Sequence, residues 1–418
     1  MRAAVVAGLV LAGTAGGVPG AAAAGTDEGT TLPQIPTVLQ GAKCTKPSTK
    51  RPAAPPWQQV VLNPSGAWDL TEGSGVTVAV VDTGVDAKGS PALAGRVTEG
   101  PDVVSGGSAG TDCVGHGTFV AGLIAAGKSD DARFAGVAPE TRILAVRVTA
   151  RDGSTTPEHV AAGIEAAVKG GARVVNVPIA LPKDSAALRA AVQTAQQQDV
   201  LIVAPAYAEQ QDTETKAPAA YPAALPGVLA VASLAPPDGS VVSAQAPGTA
   251  PDLAAPGESV MSIGPGGSGY FTGSGAEFAS ALVAGTAALT RSYRPDLTVS
   301  QVVARLERTA YHAAVAGPSP LVGWGVVDPA AAVTAALPNS SHGDGAGAQQ
   351  PFRLAAPASD SAEHRAWAVV GGAAGVVLLV ALVAVVVPRG RRRSWRPGVL
   401  GEVSTDGGVP ASSGPATS

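Results

Sequence analysis

Apolar positions in this chain fall into short unbroken runs that alternate with stretches of helical spacing. The run "GVTVAVVDTGVD", residues 75–86, is rich in β-branched side chains and closes on Thr-Gly, which predicts a buried strand and then a turn. The segments "TRILAVRVT" (141–149), "RVVNVPIAL" (173–181), "VLIVAPAY" (200–207) and "GVLAVASL" (227–234) repeat that pattern. Between them lie "GHGTFVAGLIAAG" (115–127), "TPEHVAAGIEAAVKGGA" (156–172) and "SAALRAAVQTAQQQD" (185–199), which read as helices. A long central helix is expected over residues 274–291, an amphipathic helix over "TVSQVVARLERTA" (298–310), and closure of the domain near "GWGVVDPAAAVTAAL" (323–337). Strands without a polar face, alternating with helices, imply an α/β fold whose mostly parallel sheet is covered on both sides.

The ends of the chain follow other rules. Residues 1–24 begin with a single positive charge, continue as a short apolar run and finish in small residues, the pattern of a secretory signal peptide cut near Ala24. A Pro/Thr/Lys-rich extension occupies 25–56, and the globular pattern runs over 57–337. A Pro/Gly/Ala-rich linker fills 338–365. Residues 366–387, "AWAVVGGAAGVVLLVALVAVVV", carry no charge and suffice to cross a bilayer. Arg389, Arg391, Arg392, Arg393 and Arg396 follow directly, so the tail 388–418 is expected on the cytoplasmic side and the domain outside.

Composition narrows the classes of function. The 418 residues are 45% apolar and carry a net charge of −4, which leaves no basic surplus for nucleic acid. The two cysteines, Cys44 and Cys113, belong to an exported and hence oxidising location. A disulfide between them is expected, with two separate buried thiols as the alternative.

Three segments stand in a definite order. Asp82 ends a predicted strand, His116 opens a predicted helix, and the helix of 274–291 comes last. An acid, a histidine and then a nucleophile helix is one of the known chain orders of the Ser-His-Asp triad. A serine hydroxyl needs an imidazole to take its proton, and the imidazole needs a carboxylate to fix its tautomer. Asp-Thr-Gly alone is a common turn, and the other histidines (His159, His312, His342, His364) read as packed or surface residues.

Taken together, "VAVVDTGVD", "GHGTFVAGLIAA", "GVAPETRILAVRV", "YPAALPGVLAVAS", "LAAPGESVMSIG" and "FASALVAGTAALTRS" resemble the subtilisin-like serine proteases over about residues 60–335. More narrowly, the signal peptide, the extension, the cysteine before the histidine motif, the linker and the membrane span resemble the mycosins, the subtilases of type VII secretion systems. The resemblance implies a three-layer α/β fold with flanking helices and one C-terminal transmembrane helix. It also implies anchoring in the cell membrane, no cofactor, and partners drawn from the type VII secretion membrane complex and from extended segments of secreted proteins.

The chain departs from that family at the places where the family's chemistry sits. Counting back from Gly285, the Gly-Thr-Ser of the nucleophile motif is replaced by Gly275, Ala276 and Glu277. Ser274 and Ser280 stand three residues to either side, about 4.5 Å of helical rise and well off a full turn from the slot. Tyr207, preceded by Ala206, falls where the family carries its oxyanion asparagine. Pro178 stands on the strand that pairs with substrate, where it removes a backbone N–H, and Ala281 replaces a common proline. The reading is a mycosin-like pseudoprotease with Asp82 and His116 as triad remnants. Glu277 is expected to pair with His116 and favour the imidazolium. Asp82, His116 and Glu277 lack further ligands for a metal, so no metal is assigned. Alternatives are an active endopeptidase of the same family and an extracellular peptide-binding receptor.

Overall fold

The apolar runs become parallel strands of one sheet. The computed structural model describes residues 31–52, 54–129, 134–207, 218–236, 248–311, 317–337 and 389. The chain divides into two compact units, Met1–Pro351 and Phe352–Ser418, and the fold below belongs to the first. The expected signal peptide, linker and membrane span lie outside the described residues. Among the described residues no helix is long and apolar enough to cross a membrane.

In chain order the elements are α1 (Trp57–Leu62), α2 (Ser65–Trp68), β1 (Thr77–Asp82), β2 (Val97–Asp102), α3 (His116–Ala125), β3 (Arg142–Arg147), α4 (Pro157–Lys169) and β4 (Val174–Asn176). There follow α5 (Ala186–Gln197), β5 (Leu201–Pro205), β6 (Val228–Leu234), β7 (Leu253–Pro256), β8 (Val260–Ile263), β9 (Tyr270–Gly273), α6 (Ala276–Tyr293), α7 (Val299–Thr309) and α8 (Pro329–Thr334). The sheet runs β2-β3-β1-β4-β5-β6-β7, with every neighbouring pair parallel. A separate antiparallel pair, β8 and β9, precedes α6.

The two faces of the sheet explain why its strands show no polar alternation. Successive strand side chains point to opposite faces. Val78 and Val80 of β1 pack into the core shared with α3 and α6. Ala79 and Val81 pack into the second core, under α4 and α5. Helix α6 is buried from Ala276 to Arg291, and α3 is buried along its whole length. Helices α4 and α5 keep one wet face, and each opens on a side-chain cap: Thr156 Oγ1 accepts from His159 N, and Ser185 Oγ accepts from Leu188 N.

Strand β4 is shorter than its apolar run. The amide of Val177 still donates to Val203 O at 2.9 Å, but the next residue is Pro178, which has no N–H to continue the ladder. The N-terminal extension is ordered against the domain. Ile35 N donates to Thr272 O, and Thr272 N donates to Pro33 O, at 2.8 and 2.9 Å. Fifteen residues later, Tyr270 N donates to Lys50 O at 2.9 Å. Between these contacts, Cys44 and Cys113 form a disulfide.

Candidate active site

Parallel pairing brings the carboxyl ends of β1, β3 and β4 together, with Asp82 opposite Arg147 and Val80 opposite Asn176. Ligand sites of open α/β sheets gather at this edge. Asp82 is the last residue of β1 and is 1% exposed. Its Oδ1 accepts from Thr83 N at 2.6 Å, which fixes the carboxylate plane.

His116 is the first residue of α3. Gly115 before it has φ +94°, and a Cβ there would come within 2.8 Å of Ile35 and Pro265 side chains. The exposed amides of this helix start are met by Asp112, which accepts from Gly115 N at 2.7 Å, from Thr118 N at 2.8 Å and from Thr118 Oγ1 at 2.7 Å. Thr83 Oγ1 also donates to Asp112 and accepts from Gly117 N, tying the end of β1 to the start of α3. Burial pushes the Asp112 carboxyl up despite these hydrogen bonds.

Nδ1 of His116 lies 2.7 Å from Asp82 Oδ2. The ring packs on Phe278 at a centroid distance of 5.1 Å, and Phe278 packs on Phe119 at 4.8 Å. Its other nitrogen, Nε2, is buried and makes no hydrogen bond among the described residues. Burial works against the charged imidazole. The neighbouring carboxylates outweigh it, Asp82 first as charge and acceptor, then Glu277 and Asp112, and the pKa is pushed up to about 9.

Glu277 lies in the first turn of α6 and is 8% exposed. Its carboxylate folds back over Gly275, against the position a Cβ would take there. Anionic side chains are favoured at a helix N-terminus. Ser280 is fully buried on the same helix, and its hydroxyl sits 3.0 Å from Asn176 Oδ1 and 2.7 Å from Glu277 O. Ser274 Oγ accepts from Ser259 N at 2.9 Å. Neither serine reaches Nε2 of His116. Ala281 is buried inside α6.

The phenol of Tyr207 is turned onto β6: its oxygen accepts from Ser233 N at 2.9 Å and its hydroxyl faces Ser233 O at 3.4 Å. Burial, followed by the charges of Glu258 and Glu277, pushes its pKa up to about 12, against the hydrogen bond from Ser233. Ser233 Oγ in turn donates to Glu258 Oε1 at 2.9 Å. A cavity of about 330 Å³ joins Asp82, His116 and Glu277 to Pro178, Ile179 and Ala180 on one wall, and to Thr37 and Val38 of the extension.

The structure therefore brings Asp82, His116, Glu277 and Pro178 to one cavity, and places Tyr207 close enough to feel the charge of Glu277. His159 stands in the first turn of α4, apart from this cluster, and His312, His342 and His364 lie outside the described residues. Sequence reasoning missed Asp112, Phe278 and Glu258. Asp112 carried a usable signal, an acidic residue just ahead of a helix start. Glu258 carried none, because only the fold sets it beside Ser233. Among the described residues no group of three His, Cys, Asp or Glu side chains is disposed to hold a metal ion.

Comparison with known proteins agrees with this fold. The family model described as Subtilase family matches residues 73–325. Mycosin-3 of Mycobacterium tuberculosis is 33% identical over 405 residues, covering 82% of this chain and 85% of that protein. The structure of the MycP3 protease from the type VII (ESX-3) secretion system superposes with a TM-score of 0.59 at 33% identity, covering 73% of this chain and 95% of that one. A chain in the periplasmic assembly from the ESX-5 inner membrane complex gives a TM-score of 0.63 at 27% identity, covering 78% and 96%.

Proposed function

This chain belongs to the subtilase family, and on that premise we propose that it is a mycosin-like, membrane-anchored component of a type VII secretion system in which partner binding has replaced proteolysis. One observation carries the loss of catalysis. Glu277 occupies the first turn of the helix that would present a nucleophile, and among the described residues no hydroxyl lies within hydrogen-bond range of Nε2 of His116. A carboxylate has no proton for the imidazole to take, and an imidazole already protonated at neutral pH cannot act as a base. The phenol held by Ser233 is the second support, since an oxyanion donor must be aimed at the reacting carbonyl.

The scaffold role draws on the likeness to mycosins and to the ESX-5 assembly chain. On this proposal the domain lies outside the cell membrane and residues 366–387 serve as its anchor. The sheet, the two cores described above and the Asp82–His116 pair are present, so the domain offers a well-packed surface for a partner. A second reading, capture of an extended peptide, is favoured by one feature. Ile179 and Ala180 line the cavity, and their backbone groups make no hydrogen bond among the described residues.

The test compares the full chain with Asp82→Ala during incubation with an unstructured protein such as casein. The expected result is no cleavage above background in either sample. Cleavage by the parent chain that disappears in Asp82→Ala would overturn the proposal. Recovery of secretion-complex components with the tagged full chain, undiminished by Asp82→Ala, is the positive outcome expected of a scaffold.

A further inference from the structure

Residues 33–50 are attached to the domain in an uneven way. At both ends they are sewn to the same strand, through Pro33 and Ile35 at Thr272 and through Lys50 at Tyr270. Ile35 is 3% exposed and belongs to the main core. Pro47 packs near Gly266 and Gly267, and Ser48 O lies against Gly269. The arc between these anchors is held differently. Leu39 N donates to Asp152 O at 2.8 Å, and Thr45 N donates to Cys113 O at 2.9 Å. Thr45 Oγ1 also donates to Val114 O at 2.5 Å, and beside it lies the covalent tie, Cys44 to Cys113. Thr37 and Val38, on this arc, form part of the wall of the cavity that holds His116.

The covalent tie is reachable. Cys44 is exposed and Cys113 half-buried, and both residues line a second cavity of about 640 Å³ together with Arg147 and Arg151. A guanidinium nitrogen of Arg151 donates toward Cys44 Sγ at 3.6 Å. The Arg147 guanidinium is already engaged with Thr83 O, Asp102 and Thr111. A cation beside a sulfur stabilises it as the leaving thiolate and speeds thiol–disulfide exchange.

We propose that residues 36–46 form a strap over the cavity and that the Cys44–Cys113 disulfide is its latch, opened by a dithiol reductant of the thioredoxin type. The reductant's thiolate attacks Cys113 Sγ from the second cavity, forming a mixed disulfide and releasing Cys44 as a thiolate beside Arg151. The reductant's second thiol then attacks the mixed disulfide and frees Cys113. The protein gains two electrons and two protons, and the reductant leaves as its own disulfide. The strap keeps its anchors on β9 and swings away from Thr37's and Val38's positions, leaving the cavity wider. The inference does not depend on how Glu277 is read, because it concerns access to the cavity and not its chemistry.

The experiment compares the full chain before and after treatment with reduced thioredoxin, by hydrogen exchange resolved to single amides. The amides of Leu39 and Thr45 are expected to lose protection by about tenfold or more, while those of Ile35, Tyr270 and Thr272 stay protected. The variant with both Cys44→Ser and Cys113→Ser should show the same pattern without reductant. Reduced protein that keeps Leu39 protected would overturn the proposal. So would loss of the folded domain on reduction, since the disulfide would then be a structural staple. Arg151→Gln should slow reduction by roughly three- to tenfold, with Arg151→Lys retaining most of the rate. An unchanged rate in Arg151→Gln would also count against the mechanism.

Discussion

Nδ1 of His116 sits 2.7 Å from Oδ2 of Asp82, with both side chains buried. An ion pair of this kind makes stability depend on pH. The imidazole's ordinary value is 6.5, and in the folded domain it is pushed up to about 9. The stabilisation is therefore complete below pH 6.5 and is lost as pH rises through about 9. The thermal midpoint is expected to fall over that window, by about 2–4 °C for each kcal/mol lost. Asp82→Asn should flatten the fall, and a melting series from pH 6 to pH 10 checks both.

Gly275 has φ +145°, and a Cβ there would collide with the Glu277 carboxylate. Gly275→Ala is expected to destabilise the domain by about 1–3 kcal/mol through backbone strain and that collision. Combining it with Glu277→Ser should return the part due to the collision and leave the part due to φ. Denaturant unfolding of the two single variants and the double variant separates the two contributions.

Restoring a hydroxyl and an amide tests whether the remainder of the site is competent. Glu277→Ser also removes a carboxylate that raises the His116 pKa, returning the ring toward the range of a working base. Tyr207→Asn frees the oxyanion position but strips Ser233 N of its acceptor, a cost of about 1–3 kcal/mol if water does not replace it. Peptide hydrolysis is expected from Glu277→Ser with Tyr207→Asn, at roughly 10²–10³ times the turnover of Glu277→Ser alone. A fluorogenic peptide assay reads both.

A different pH response belongs to α7. Glu307 lies in a cavity with Asp252, and burial, then the Asp252 charge, pushes it up to about 7. An acid raised in the folded state loses its stabilising contribution as pH climbs from its ordinary 4.5 through about 7. Glu307→Gln should therefore be more stable than the parent at pH 8, by about 1 kcal/mol after allowance for solvent screening, and no more stable at pH 4. Urea unfolding at the two pH values decides it.

What could be read in advance followed the physics of each element. Strands β1, β3, β4, β5 and β6 were legible because burial on both faces left uninterrupted apolar runs. Strand β2, "VTEGPD", was not, since it is an edge with most side chains wet. The hairpin of β8 and β9 was hidden in short segments whose partner is each other and the extension. Helix α6 appeared in the sequence two residues early, because Ser274 and Gly275 look like a start although the first helical residue is Ala276. At the site, Asp82, His116 and Glu277 could be placed by motif and register. The turn of the Tyr207 phenol onto Ser233 could not, because it depends on a strand 26 residues away.

The bond between Cys44 and Cys113 has a practical corollary for anyone handling this molecule. A protease cut between Cys44 and Trp57 would divide the polypeptide without releasing the smaller piece. Such material would migrate as one species on a gel run without thiol and as two when thiol is added, so an apparently intact preparation can already be clipped.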